Sequence, residues 1–151
     1  MIVEAKNHII DYESEDPVRP NIPKENRINE TSKVFYYVTS LDVHVETQTP
    51  EAVICVKFCD RIATTESELE TFASLDSTVL MLYTVWSNSR GAGATLVREL
   101  IPFVKEQFPN IKRVCTLSPK TRTARVFHLR NGAIELRENS ETINYEYILE
   151  Q

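Results

Sequence analysis

Residues 79–86 read VLMLYTVW, almost wholly apolar, and this octet constrains the fold more than any other stretch of the chain. It is too short for an isolated buried helix, and a strand with one wet face would alternate apolar and polar side chains. A strand covered on both faces meets both conditions, so the octet is expected at the centre of a sheet. The next segment is equally restrictive. In SNSRGAGATLVRELIPFVKEQFP, Gly91 and Gly93 lead into an apolar stripe of Leu96, Val97, Leu100, Ile101, Val104 and Phe108, the spacing of an amphipathic helix ending by Pro109. Pro102 lies inside that helix, deletes the N–H that would bond to Arg98 and predicts a bend.

The rest of the chain reads in shorter units. VFYYVTSLDVHVE and AVICVKF are rich in β-branched and aromatic residues and predict two antiparallel strands with a turn over residues 46–50. TTESELETFA predicts a short helix capped by Thr65, with Glu68 three positions on and Leu69 and Phe72 at helical spacing. KRVCTLSP predicts a strand closed by Pro119. TRTARVFHLRNG predicts a helix that offers Ala124, Phe127 and Leu129 for packing and stops at Asn131-Gly132. AIELRE and INYEYIL are candidate closing strands. Residues 1–32 hold three of the seven prolines, many charges and few aromatics, and are expected to form an irregular arm ahead of one domain at residues 33–151. Strands mixed with helices in this order predict an α+β architecture.

Composition removes several function classes. A chain of 151 residues fits one domain that buries its core without disulfides, and its 42% hydrophobic and 26% charged residues are those of a soluble globule. No stretch approaches the roughly twenty apolar residues of a bilayer span. MIVEAKNHIIDYESEDP lacks the basic start, apolar run and small-residue cleavage site of a secretory leader, so the expected place is the cytoplasm, away from membranes. A net charge of -5 opposes a nucleic-acid partner. Cys55, Cys59 and Cys115 are an odd set in apolar runs, as suits buried thiols, and with His8, His44 and His128 they make no zinc spacing.

A strand, the turn Arg90-Gly91-Ala92-Gly93 and a helix together point several N–H groups at one spot beside a positive helix end, where phosphate binds; the same glycines also serve simply to close a turn. A dinucleotide fold is disfavoured, since its fingerprint needs a third glycine and position 96 is Leu. The stretch resembles the pyrophosphate loop of the GNAT acyltransferase superfamily, Arg/Gln-x-x-Gly-x-Gly/Ala, here Arg90-x-x-Gly93-x-Thr95, with Thr95 departing from the usual Gly or Ala. After the next strand, Ala124, Phe127, His128 and Gly132 fall in the frame of that superfamily's Ala-x-x-Phe-Tyr and following Gly-Phe turn, His128 standing where a general-acid tyrosine is common. The resemblance implies a GNAT-like acyl-CoA-binding fold, a central twisted and mostly antiparallel sheet flanked by helices. It further implies that Arg90, Gly91, Ala92, Gly93, Ala94 and Thr95, with Val85 of the preceding strand, hold coenzyme A.

One branch is closer still. FPNIKRVCTLSP and FHLRNGA resemble the Leu-Ser-Pro strand end and the Phe-His-Leu-x-Asn-Gly-Ala segment of malonyl-CoA decarboxylases, and INYEYILEQ resembles the Asn-Tyr-x-Tyr that ends their catalytic half. The likeness covers about residues 33–151. It departs in the helical domain that precedes that half, in a long insertion after Leu-Ser-Pro, and in part of the stretch before Asn144-Tyr145. Carried over, it makes Ser118 and His128 the functional pair, with an acyl-CoA or acyl-carrier thioester as substrate and no further cofactor. Losing carbon dioxide from a malonyl thioester leaves an enolate, and a hydroxyl beside an imidazole can bind the carboxylate, stabilise the enolate and supply the proton. Two other functions stay open: acyl transfer from acyl-CoA to an amine, and acyl-CoA binding without chemistry. A homodimer is also left open. Without the family frame, His128 between Phe127 and Leu129 reads as a core or capping residue, Ser118 before Pro119 as a strand end, Arg90 as a solvated loop residue, Tyr83 and Trp86 as packing, and His44 as surface.

Overall fold

The computed structural model describes residues 1–6, 15–39 and 49–149. Among these described residues, eight strands, β1 (Ile2–Glu4), β2 (Ser32–Tyr37), β3 (Ala52–Cys59), β4 (Val79–Ser87), β5 (Arg113–Thr116), β6 (Ser118–Pro119), β7 (Ile134–Glu138) and β8 (Thr142–Tyr147), form one sheet, accompanied by three α-helices, α1 (Glu66–Thr71), α2 (Ala92–Gln107) and α3 (Arg122–Arg130). The strand order is β1-β2-β3-β4-β5-β8-β6, with β7 also paired to β8. Every pairing is antiparallel except that of β4 with β5. The architecture is the expected α+β one, a mostly antiparallel sheet flanked by helices. Among the described residues, no helix is long and apolar enough to cross a membrane.

The apolar octet forms β4 because two cores claim it. Leu80 and Leu82 face α2, meeting Leu96, Val97, Leu100 and Val104; Val79, Met81 and Tyr83 face the other way, with Leu69 of α1 and Leu117. The alternation then slips. Cys55 pairs with Thr84 and Val56 with Leu82, so β4 carries an extra residue at Tyr83, after which Val85 joins the α2 side and Trp86 the α1 side. Parallel pairing with β5 stops at the same level. It runs from Val79 opposite Arg113 to Leu82 opposite Thr116, ends with Leu117 N–H to the Leu82 carbonyl at 2.9 Å, and goes no further. Beyond it β4 stays with β3 while β6 stays with β8, and the two lines part.

The helix ends follow the chain's turn chemistry. Thr65 caps α1 by accepting the Glu68 N–H, and the Glu68 carboxylate accepts the N–H and hydroxyl of Thr64. Pro102 sits on the exposed side of α2, whose sixteen residues continue through it. Thr121 caps α3, and Gly132, at φ 95°, lets Gly132 N–H reach the Leu129 carbonyl and Ala133 N–H reach that of His128. That is the paired closure of a left-handed helix stop. Of the residues expected to pack, Leu129 is exposed, because the inward stripe of α3 runs through the half-buried Ala124 and Phe127 and the buried His128.

The amino-terminal stretch is less irregular than expected. Ile2–Glu4, β-branched at Ile2 and Val3, adds an edge strand to β2. Residues 15–31 include a 3-10 turn (Lys24–Asn26) and are held by a buried ion pair, Arg27 Nη1 to Asp16 Oδ2 at 2.9 Å, with side chains 1% and 0% exposed. Asp16 Oδ1 also accepts the N–H groups of Val18 and Arg19 and the hydroxyl of Thr84. His8, His44 and the predicted turn over residues 46–48 lie outside the described residues. Arg27→Leu strands a buried carboxylate and is expected to lower unfolding stability by about 3–5 kcal/mol in a urea titration. Adding Asp16→Asn to it is expected to recover part of that loss; a double variant as unstable as the single one refutes the pairing.

Candidate functional site

Where β4 and β5 part, a cavity of about 320 Å³ opens through the sheet. Its walls are mostly apolar: Val18, Leu82, Val85, Trp86, Leu117 and Phe127. Its polar side chains include Ser118 and His128, and Gly93 of α2 also borders it. Ser118, His128, Gly93 and Val85, named from four separate segments of the sequence, therefore meet in one place. Tyr83 and Trp86, read as packing, line it too.

His128 is the buried residue of α3, and its place follows from the helix stop that fixes its carbonyl. Its ring stacks on Tyr145, with centroids 5.2 Å apart, and meets Tyr147 edge-on. Nδ1 lies 2.7 Å from the Tyr147 hydroxyl, so Nε2 is the nitrogen left to meet a ligand. The end of a helix favours a cation, but burial outweighs that: desolvation lowers the imidazole pKa to about 4, and the ring is neutral near pH 7. Burial also raises the Tyr147 pKa, which keeps the phenol protonated.

Ser118 opens β6 and is held from behind. Its hydroxyl donates to Thr116 Oγ1 at 2.8 Å, and Thr116 Oγ1 accepts the Tyr145 N–H at 3.0 Å. The Asn144 amide donates to the Thr116 carbonyl at 2.7 Å and to the Ala63 carbonyl at 3.0 Å. Side chains thus replace ladder bonds at the break between β5 and β6, and Ser118 is fixed by groups that are all buried. Ser118 and His128 each bond to a different partner and both line the same cavity.

The glycine turn is built differently from the expected phosphate cradle. Gly91, at φ 80°, starts α2 and is exposed. The Gly93 N–H is taken by Ser87 Oγ at 2.7 Å, and both the N–H and the hydroxyl of Thr95 return to the Gly91 carbonyl. A β-carbon on Gly93 would sit 2.5 Å from Ser87 Oγ, so glycine is what allows this approach. Ala94 lines a second hollow of about 650 Å³ between α2 and α3, together with Arg98, Arg122 and Arg130. Arg90, Gly91, Ala92 and Thr95 line neither hollow. Cys55, Cys59 and Cys115 are buried and unpaired, and desolvation pushes each thiol pKa up to about 12.

Sequence reasoning missed Thr116, Tyr147, Asn144 and Ser87, which orient the named residues, and the arginines between the helices. The NYEY run at residues 144–147 did carry a signal, since alternate residues of one strand share a face and Tyr145 and Tyr147 both reach His128.

The neutral ring sets a pH dependence. With a folded pKa near 4 against an unfolded value of 6.5, the unfolded chain takes the proton first, so stability is retained above pH 6.5 and lost as pH falls toward 4. The full loss is on the order of 3 kcal/mol. His128→Gln is expected to remove this component, seen as a shallower fall in urea-unfolding free energy between pH 6.5 and 4 than in the wild type. Parallel curves contradict the burial of an uncharged ring.

No family model matches the chain, and no curated protein matches its sequence. Solved structures match its fold. A malonyl-CoA decarboxylase from Cupriavidus metallidurans superposes at a TM-score of 0.70 and 14% identity, covering 98% of this chain and 60% of that one. GphF, a GNAT-like decarboxylase in complex with isobutyryl-CoA, gives 0.60 at 12% identity over 78% of each chain. Arabidopsis thaliana NAA60 in complex with acetyl-CoA gives 0.57 at 14% identity over 98% of this chain and 99% of that one. The chain spans about 60% of the length of the first of these. The chain therefore has the fold shared by these decarboxylase and acetyl-CoA-bound structures.

Proposed function

We propose that the cavity receives the acyl end of a coenzyme A thioester and that the chain removes carbon dioxide from a malonyl group, with Ser118 and His128 as the catalytic pair. The observation that carries this is their meeting in one apolar cavity at the parting of β4 and β5, with Gly93 on the same wall. The malonyl-CoA decarboxylase and the GNAT-like decarboxylase share the fold, and two of the matching structures hold an acyl-CoA.

The chemistry suits the surroundings. Decarboxylation breaks one C–C bond, turning a localised carboxylate into neutral carbon dioxide and an enolate whose charge is shared with the thioester oxygen. An apolar wall penalises the first state more than the second. Ser118 Oγ–H, turned from Thr116, and His128 Nε2–H, with Tyr147 donating to Nδ1, are two neutral donors for the enolate oxygen. The ring nitrogen then passes its proton to the carbon and is reprotonated by solvent. A neutral ring has a further advantage over an imidazolium here: it makes no ion pair that would stabilise the starting carboxylate.

Arg98, Arg122 and Arg130, around the hollow between α2 and α3, fit the phosphates of the carrier. An acyl group on coenzyme A is favoured over a free acid, since an anionic carrier would use this groove while its thioester enters the split.

Malonyl-CoA incubated with the protein is expected to release carbon dioxide with no acceptor present. Ser118→Ala and His128→Ala are each expected to lower kcat by at least about a hundredfold while unfolding cooperatively. Full activity in both removes this mechanism, and free thiol appearing only when an amine is added moves the function to acyl transfer. Arg98→Ala with Arg130→Ala is expected to raise KM for malonyl-CoA severalfold and leave malonyl-pantetheine unaffected; equal effects on both substrates exclude the groove as the nucleotide side of the site. Arg90→Ala, if Arg90 is a phosphate ligand as the loop resemblance implies, weakens coenzyme A binding, and unchanged affinity in calorimetry removes it from the site.

A further inference from the structure

A parallel pair of strands that stops pairing leaves carbonyls facing an empty register, and buried carbonyls need donors. At the parting of β4 and β5 the donor is Arg19, from the amino-terminal arm. Its Nε donates to the Tyr83 carbonyl at 2.9 Å and its Nη2 to the Leu117 carbonyl at 2.8 Å, so one planar guanidinium spans both strands immediately past their last ladder bond. Its third nitrogen, Nη1, donates to Glu66 Oε1 of α1 at 3.2 Å.

The arm holds this side chain in place from behind. The Arg19 N–H goes to Asp16 Oδ1 at 3.0 Å, and the Arg19 carbonyl accepts Nη2 of Arg27 at 2.7 Å. Asp16 and Arg27 are themselves buried and paired, and Asp16 also takes the hydroxyl of Thr84, the residue beside the extra position in β4. The preceding residue, Val18, lines the cavity. The arm therefore places one side chain in the cavity wall and the next in the gap between the strands.

We infer that Arg19 is a positioning residue that props β4 and β5 apart, so that the cavity holding Ser118 and His128 depends on a guanidinium delivered by the arm. The proposal rests on reading that cavity as the thioester site. A guanidinium is suited to the task because its fixed fork presents donors in three directions at once, which an ammonium on a flexible stem does not. Without it, two buried carbonyls lose their donor, and the strands close toward each other or admit water; either change alters the cavity without touching Ser118 or His128.

The test uses acetyl-CoA as a probe that cannot decarboxylate, with binding measured by calorimetry in wild type, Arg19→Ala and Arg19→Lys. Arg19→Ala is expected to bind at least tenfold more weakly while unfolding cooperatively, with KM for malonyl-CoA raised more than kcat is lowered. Methylguanidinium, which can enter the vacated space, is expected to restore binding in Arg19→Ala and to do nothing in Arg19→Lys. Wild-type affinity in Arg19→Ala, or weakened affinity that methylguanidinium does not restore, overturns the proposal. Should Arg19→Ala fail to fold, Arg19→Lys decides: weaker binding at an unchanged denaturation midpoint is expected, and wild-type binding refutes it. Amide exchange at residues 84–87, 117 and 118 tests the prop apart from any ligand. Protection there is expected to change at least tenfold in Arg19→Ala and to return with methylguanidinium, and unchanged protection overturns it. Wild type that binds acetyl-CoA yet leaves malonyl-CoA intact defeats the decarboxylase reading alone, and wild type that binds neither defeats the thioester site while the exchange measurement still judges Arg19.

Discussion

The end of parallel pairing after Leu82 and Thr116 is the constraint on which the rest of the molecule depends. Strands that stay paired leave no room between them; strands that part leave polar backbone in the interior. The chain meets that cost with side chains. Arg19 serves the carbonyls of Tyr83 and Leu117, Asn144 serves the carbonyl of Thr116, and the Thr116 hydroxyl serves the N–H of Tyr145. These polar groups surround the break, and Ser118 is bonded to one of them. The proposed hydroxyl catalyst is thus part of the set of bonds that makes the opening tolerable, which is why its position is tightly defined in a mostly apolar cavity.

His128 shows how competing terms set a charge state. Its ring lies in the last turn of α3, where the helix field favours protonation by up to about 2 kcal/mol in partly buried settings. Desolvation by Phe127, Tyr145 and Tyr147 outweighs it, and the pKa falls to about 4. A surface imidazole in the same turn would carry charge and would pair with an incoming carboxylate. The buried one offers only a hydrogen bond, directed by the Tyr147 hydroxyl on its other nitrogen. The helix stop at Gly132 contributes as well, because it ties the His128 carbonyl to Ala133 N–H and so fixes the backbone from which the ring projects.

The features legible in the sequence were those written in local spacing. The octet at residues 79–86, the stripe of α2, the Thr65 cap and the Asn131-Gly132 stop all depend on neighbours within a turn or two. Motif spacing also brought Ser118 and His128 to notice, although that pairing came from a family frame and not from periodicity. The supporting groups were hidden because their partners lie far along the chain. Arg19 bonds to residues 64 and 98 positions away, and Asn144 to residues 28 and 81 away. No local pattern records such bonds. The extra residue at Tyr83 was equally invisible, since an unbroken apolar run looks the same whether or not its alternation slips. β1 was missed because three residues carry too little pattern to separate an edge strand from an extended lead-in.

The glycine turn shows what a motif match leaves undecided. Its spacing implied a cradle of backbone N–H groups, yet Ser87 takes the N–H of Gly93 and Thr95 folds back on the carbonyl of Gly91. An anion approaching this turn must displace the Ser87 hydroxyl, an exposed group that can rotate away at small cost. The nearby positive charge comes from Arg98, Arg122 and Arg130, carried by two helices whose separation is fixed by their packing on the sheet. Guanidinium groups tolerate small shifts of a phosphate that a rigid backbone cradle does not, because their reach is adjustable and their attraction falls off slowly with distance. On the proposed function, a site assembled in this way would grip its carrier loosely at the phosphates and tightly at the split, and the discrimination between acyl groups would fall to the cavity walls formed by Val18, Val85, Trp86 and Phe127.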